Sequence, residues 1–165
     1  MVSYILAAVV AVLAFIADRV TKFYISTGMT LGEEAPLIPK ILNLCYVHNN
    51  GGAWGILAGY TWVLLTLTAV IMVIGITVLI CKGLKNKWLF WSICLILSGG
   101  LGNMYDRIFN SGRVVDFLQF DFWQTFPVFN IADCVIVIGS AVLILYFVLD
   151  TIEDNKRKGL GNDSK

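Results

Sequence analysis

The chain has 165 residues, of which 58% are hydrophobic and only 14% charged, with a mean hydropathy of +0.81. Soluble domains carry about 25% charged residues, so the composition excludes an ordinary soluble domain and reads as a polytopic membrane protein. A formal net charge of +1 gives no electrostatic reason to expect a nucleic-acid partner.

Four segments reach or approach the roughly 20 apolar residues needed to cross a bilayer. The first runs from Tyr4 to Ser26 and holds Asp18-Arg-Val-Thr-Lys22 near its end. Met1-Val-Ser-Tyr carries no Lys or Arg, and the apolar run outlasts a signal-peptide core, so a retained first helix is expected. An outer loop follows, from about residue 28 to 58. Its stretch Ile38 to His48 alternates in part and is rich in β-formers, and Gly51-Gly52 breaks the backbone, which predicts a strand or hairpin at the membrane surface.

The second segment, Tyr60 to Cys81, carries no charge at all, and the third runs from Trp88 to Tyr105. Beyond it lies Arg113-Val-Val-Asp-Phe117, leading into the aromatic run that ends at Phe126. That composition suits an interfacial segment at headgroup depth. The fourth segment spans Val128 to Leu149, and from about Glu153 a polar tail is expected, mobile to residue 165. No linker or internal repeat divides the chain, so one integral-membrane domain over 1–165 is predicted.

Seven of the twelve basic residues lie in Lys82-Gly-Leu-Lys85-Asn-Lys87 and in the tail Lys156-Arg157-Lys158 to Lys165. Both fall on one side of a four-helix chain, which the positive-inside rule makes cytoplasmic, with both termini. The loops near 27–59 and 107–127 then face outward. The cysteines at 45, 81, 94 and 134 have no paired metal spacing and no disulfide framework, and read as apolar packing residues.

The polar residues of the apolar segments share one depth. Asp18 and Lys22 close the first helix, Asn103, Asp106 and Arg107 close the third, and Asn130 and Asp133 open the fourth. Asp18 and Lys22 are spaced i,i+4 for pairing. The two Asn-x-x-Asp pairs, 103/106 and 130/133, are spaced i,i+3 and so each shares a helix face. Gly99, Gly100 and Gly102 would let the third helix approach its neighbours closely.

Bland readings stand beside functional ones. Asp18 with Lys22 is either a structural ion pair or a substrate contact; Asp106 with Arg107 is better read as holding the outer loop than as catalytic. Asp121 reads as solvated and His48 as structural. A carboxylate in or beside hydrocarbon costs at least about 2.5–3.5 kcal/mol on insertion scales, which makes Asp116 and Asp133 functional candidates. As a pair sharing one proton they would carry aspartic-protease chemistry. His-Glu-x-x-His, Gly-x-Ser-x-Gly and Ser-x-x-Lys motifs are all absent from the sequence. Two other classes compete: a non-enzymatic assembly or lipid-binding protein with a structural polar cluster, and an ion or proton carrier, which would more naturally place its acids at mid-membrane.

Five motifs in order resemble those of the lipoprotein signal peptidase (signal peptidase II) family: Asp18-Arg-Val-Thr-Lys22, Asn49-Asn-Gly-Gly-Ala-Trp54, Gly102-Asn-Met-Tyr-Asp-Arg107, Val114-Val-Asp-Phe117 and Phe129-Asn-Ile-Ala-Asp133. Gly52 departs from the pattern, where the family usually has Ala or another small apolar residue. The resemblance implies a membrane all-α fold of four transmembrane helices with a small extracytoplasmic β-rich cradle and an interfacial helix or lid. It implies a cofactor-free and metal-free aspartic endopeptidase of the bacterial cytoplasmic membrane, with its site toward the extracytoplasmic face. Its partners would be diacylglyceryl-modified prolipoproteins and membrane lipid, with no obligate protein partner. The catalytic dyad falls on Asp116 and Asp133. Supporting residues fall on Asp18, Lys22, Asn49, Asn103, Arg107 and Asn130, with Asp106 as a structural acid.

Overall fold

In a computed structural model, which describes residues 1–162, four long helices carry a small sheet at one end. They are α1 (Val2–Gly28), α2 (Thr61–Cys81), α3 (Lys87–Phe109) and α4 (Ile131–Asn162). At 1.5 Å per residue each exceeds the roughly 30 Å hydrocarbon core. The three strands, β1 (Glu34–Ile38), β2 (Leu42–Asn49) and β3 (Val114–Phe120), form one antiparallel sheet in the order β1-β2-β3.

Composition decides which helix lies where. The span of α2 is the most apolar of the four and none of it is buried in protein, as expected of a helix that is hydrophobic all round and faces lipid. The span of α3 is the least apolar, and half of it is buried, because α3 packs on α1, α2 and α4. Its start is set by Asn86, whose side-chain oxygen accepts from the backbone N–H groups of Trp88 (2.8 Å) and Leu89 (3.3 Å). At the end far from the sheet, Trp91 donates to Ser3 Oγ at 3.1 Å and Tyr4 meets Phe90 edge-on, joining α1 to α3.

Glycines bring α3 close to its partners. A Cβ at Gly102 would sit 2.8 Å from Asp18 Oδ2, and one at Gly99 would clash with the Ala132 carbonyl oxygen. Gly139 on α4 does the same from the other side, where a Cβ would lie 2.9 Å from the Ser92 carbonyl oxygen. Gly100, grouped with Gly99 and Gly102 on sequence, has ordinary room beside Thr68 and Met72 and plays no such part.

The stretch 38–48, expected to hold a strand or hairpin, carries β2, whose hairpin partner β1 lies just ahead of it, and β3 extends the pair through Val47↔Asp116, His48↔Val115 and Asn49↔Val114. One face of the sheet buries Tyr46, Val115 and Phe117 with Ile25 of α1. Two sequence expectations change. The aromatic segment is no interfacial helix: it continues as β3 to Phe120 and then turns, because the β2 edge offers its backbone groups a ladder and Phe129 bridges to Leu118. The expected mobile tail is instead a continuation of α4 to Asn162, while residues 163–165 lie outside the described residues.

Candidate functional site

The start of α4 organises the site. Asn130 precedes its first turn; its side-chain oxygen accepts from the Asp133 N–H (2.9 Å), while Asp133 Oδ2 accepts from the Asn130 N–H (3.1 Å). This reciprocal pairing is the capping-box arrangement, built here from Asn-x-x-Asp. The other end of the Asn130 amide donates to Asp116 Oδ1 at 2.5 Å. One fully buried asparagine thus starts the helix and touches both carboxylates.

Each carboxylate has a second amide donor. Asn49 Nδ2 reaches Asp116 Oδ2 at 2.9 Å, and Asn103 Nδ2 reaches Asp133 Oδ1 at 2.7 Å. Strand alternation aims the first of these: Asn49 and Asp116 lie on the face of the sheet opposite Tyr46 and Val115. Arg113, three residues before Asp116, lies just ahead of β3 and is exposed. Asp116 and Asp133 line one cavity of about 330 Å³ with Arg107, Trp54, Phe126 and Val137. Burial, and next the charge of Asp133, push the Asp116 carboxyl up to about 7 against the pull of Asn49, Asn130 and Lys22.

Behind the asparagines lies a buried ionic quartet. Lys22 Nζ contacts Asp18 (3.1 Å) and Asp106 (2.9 Å) and donates to Asn103 Oδ1 (3.0 Å). Arg19 donates to Asp18 (2.7 Å) and Asp106 (2.6 Å). Asp18 also accepts from the Ala132 N–H (3.0 Å), and Asp106 from the Val115 N–H (3.2 Å). The two acids therefore grip the backbone just before Asp133 and Asp116. With two cations against two anions the quartet is neutral overall, and its hydrogen bonds satisfy the buried charges.

The residues singled out on sequence come together here: Asp18, Lys22, Asn49, Asn103, Asp106, Asn130, Asp116 and Asp133 form one connected network. The Asp18–Lys22 pair exists, while Asp106 and Arg107, read together as holding the outer loop, reach it through separate partners, the Val115 N–H and the Gly51 carbonyl oxygen. Neighbours on a helix point apart, so Asp106 turns to Arg19 and Lys22. Arg107 instead donates to the carbonyl oxygens of Asn103 (3.2 Å) and Gly51 (2.9 Å), leaving its buried Nε without a partner. Asp121 is half-buried and accepts from Asn43 Nδ2 at 3.1 Å, and His48 pairs with the Tyr46 hydroxyl at 2.9 Å. Arg19 was not singled out, since a residue beside Asp18 is not expected to face it; its long side chain folds back to do so. Trp54 was also missed as a cavity wall, held at a positive φ of 53° with its ring 5.7 Å from Phe126.

A family model described as Signal peptidase (SPase) II matches residues 10–149. The lipoprotein signal peptidase of Lactococcus lactis subsp. cremoris (strain SK11) is 36% identical over 146 residues, covering 88% of this chain and 95% of that one. The lipoprotein signal peptidase of Staphylococcus aureus (strain JH9) is 38% identical over 150 residues, 90% of each chain. A solved structure described as a bacterial membrane enzyme, determined by the in meso method at 2.3 Å resolution, superposes with a TM-score of 0.83 at 36% identity over 88% of both chains. Five ordered motifs, four apolar helices and matches of this length lead to one statement: the chain belongs to the signal peptidase II family, a family of bacterial membrane proteases.

Proposed function

We propose that the protein is an aspartic endopeptidase that removes the signal peptide from diacylglyceryl-modified prolipoproteins, with Asp116 and Asp133 as the catalytic pair. The observation that carries this reading is the pair of carboxylates on one cavity, each held by an amide and bridged by Asn130. Two carboxylates this coupled share a proton, so the pair, not either residue, titrates. The ionised member takes a proton from water as that water attacks the scissile carbonyl, and the protonated member donates to the carbonyl oxygen. Arg107 lines the same cavity, and its guanidinium is a further donor group beside the carboxylates. Asn49, Asn103 and Asn130 fix the carboxylates, while Asp18, Lys22 and Asp106 brace the backbone that carries them.

Orientation follows from charge. Lys82, Lys85 and Lys87 lie at the end of the bundle away from the sheet, so that end is cytoplasmic and the dyad faces outward. Cysteines introduced near Glu33 and Asp121 should react with an impermeant reagent added outside intact cells, and one near Lys85 should not. Labelling at Lys85 would invert the orientation.

The substrate's lipid should matter as much as its peptide. Acyl chains gain little by moving from bilayer to protein, so their contribution is to hold the scissile bond at the height of the dyad and raise its effective concentration. Purified protein mixed with a diacylglyceryl-modified prolipoprotein should release the signal peptide, read as a mass shift. The unmodified prolipoprotein should react far more slowly in the same nanodiscs. Equal rates would make the enzyme a general intramembrane protease, and no cleavage of either would return the polar network to a structural role.

Acidity gives a second test. Because Asp116 is held near 7, the shared proton is lost as pH rises through that value, and kcat/KM should fall about tenfold per pH unit beyond it. Asn49→Ala removes a hydrogen bond that lowers this pKa, so the alkaline limb should move to higher pH. A profile flat to pH 9 would overturn the assignment of the proton to this pair.

A further inference from the structure

A second cavity, of about 550 Å³, lies on the other face of the sheet and shares no lining residue with the dyad cavity. Strand alternation divides them. Tyr46, His48 and Val115 face this cavity, while Asn49, Val114 and Asp116 face the other. Of its lining groups the proposed function uses only Lys22 and Asp106, and those to brace the backbone behind the carboxylates.

Its charge is unbalanced. Arg19 and Lys22 line it, but their charges are spent on Asp18 and Asp106. Both Asp106 oxygens are in turn occupied by Arg19, Lys22 and the Val115 N–H, so that carboxylate does not confront an entering anion unneutralised. Arg113 is the remaining cation on the wall; it is exposed and has no ion pair among the described residues. The Ser111 hydroxyl stands on the same wall as a further donor, while that of Ser26 already donates to the Phe23 carbonyl oxygen at 3.0 Å.

The surroundings set the depth. Phe23 and Tyr105 line the cavity's margin and are exposed, and each meets another exposed ring, Tyr24 edge-on at 5.7 Å and Phe109 at a tilt at 4.5 Å. Exposed aromatic pairs at the ends of two spanning helices mark headgroup level. Arginine matches a phosphate better than any other side chain, as a planar fork of donors. A phosphate beside Arg113 would have its glycerol at the height of these rings and its acyl chains along the apolar outer sides of α1 and α3.

We propose that this cavity is a binding site for one anionic phospholipid of the surrounding leaflet, its phosphate held by Arg113 with the hydroxyl of Ser111. The site is separate from the one that takes substrate. It abuts the back of the ionic quartet, so lipid bound there meets Arg19, whose guanidinium stacks over Tyr105 at 4.8 Å and ties Asp18 to Asp106.

The test reads binding directly and needs no cleavage, so it stands or falls apart from the proposed activity. Delipidated full-length protein is incubated with phosphatidylglycerol or phosphatidylcholine, and retained lipid is read by native mass spectrometry. Phosphatidylglycerol should be retained in one-to-one stoichiometry about tenfold more tightly than phosphatidylcholine, as expected for one charge-assisted contact. Arg113→Gln should remove that preference, Arg113→Lys should keep part of it, and Lys85→Gln, at the other end of the bundle, should change nothing. Soluble glycerol phosphate at millimolar concentration should not displace the lipid. Equal retention of the two lipids, an unchanged preference in Arg113→Gln, or displacement by glycerol phosphate alone would each overturn the proposal; the last would make the cavity a site for a free phosphate. Unfolding curves of the Arg113 variants, expected to match the parent because the side chain is exposed, separate lost binding from lost structure.

Discussion

Asp116→Asn and Asp133→Asn should each lower the rate of prolipoprotein cleavage by at least about a thousandfold, the scale of losing a positioned acid or base, while leaving folded protein in the membrane. The fold should survive because burial already opposes the charge on Asp116. Its carboxyl is raised from 3.8 to about 7, so the folded state binds the proton more tightly than the unfolded chain does. Stability contributed by this group is therefore lost as pH rises from about 4 to about 7, and the neutral amide escapes that loss. A local cost opposes the gain. Both Asp116 oxygens accept from amide nitrogens, of Asn130 and Asn49, and the asparagine NH₂ must face one of them. Thermal unfolding in detergent, run beside a mass-based cleavage assay, separates the two effects. Near-normal turnover by a folded variant would remove that residue from the dyad.

Lys22→Met should be the most destabilising single change in the network. Lys22 is 3% exposed and serves Asp18, Asp106 and Asn103 at once. Removing it leaves two buried carboxylates sharing Arg19 alone, and breaking such a pair costs about 3–5 kcal/mol. Activity should fall even below the unfolding temperature, because Asn103 keeps only Asn130 of the two donors on its oxygen while its amide must still orient Asp133. Lys85→Met, exposed in the far loop, should leave both stability and activity unchanged. Equal melting temperatures for the two variants would show that the quartet is not what joins α1 to α3.

The long periods of this chain were legible in its sequence, and its short-range geometry was not. Apolar runs located the four helices within a few residues at most ends, since no other pattern of that length survives in lipid. The shared depth of Asp18, Asn103, Asp106, Asn130 and Asp133 announced one site. Pairings were harder. Asp106 and Arg107 are adjacent in sequence but point apart in α3, while the partner of Asp106, Arg19, comes from another helix 87 residues away. The aromatic run Phe117 to Phe126 has a composition that fits either an interfacial helix or an edge strand. What decided it was the free ladder of β2, which only the folded chain supplies. Gly139 was overlooked because a lone glycine in an apolar helix carries no mark of the carbonyl it must approach.

Asn130 sets a limit on how a chain of this kind can vary in length. The turns at 121–128 leave the ladder before α4 begins; Asp121 is held there by Asn43, and Phe126, Pro127 and Val128 line the cavity, so only the exposed stretch 122–125 has latitude in length. Between Asn130 and Asp133 there is no such latitude. One residue more or less rotates Asp133 by about 100° around the helix. It then leaves the cap, the amide of Asn103 and the cavity together. The spacing Asn-x-x-Asp is thus a ruler written in backbone geometry: it measures the gap between a strand and a helix, and it reads correctly at only one length.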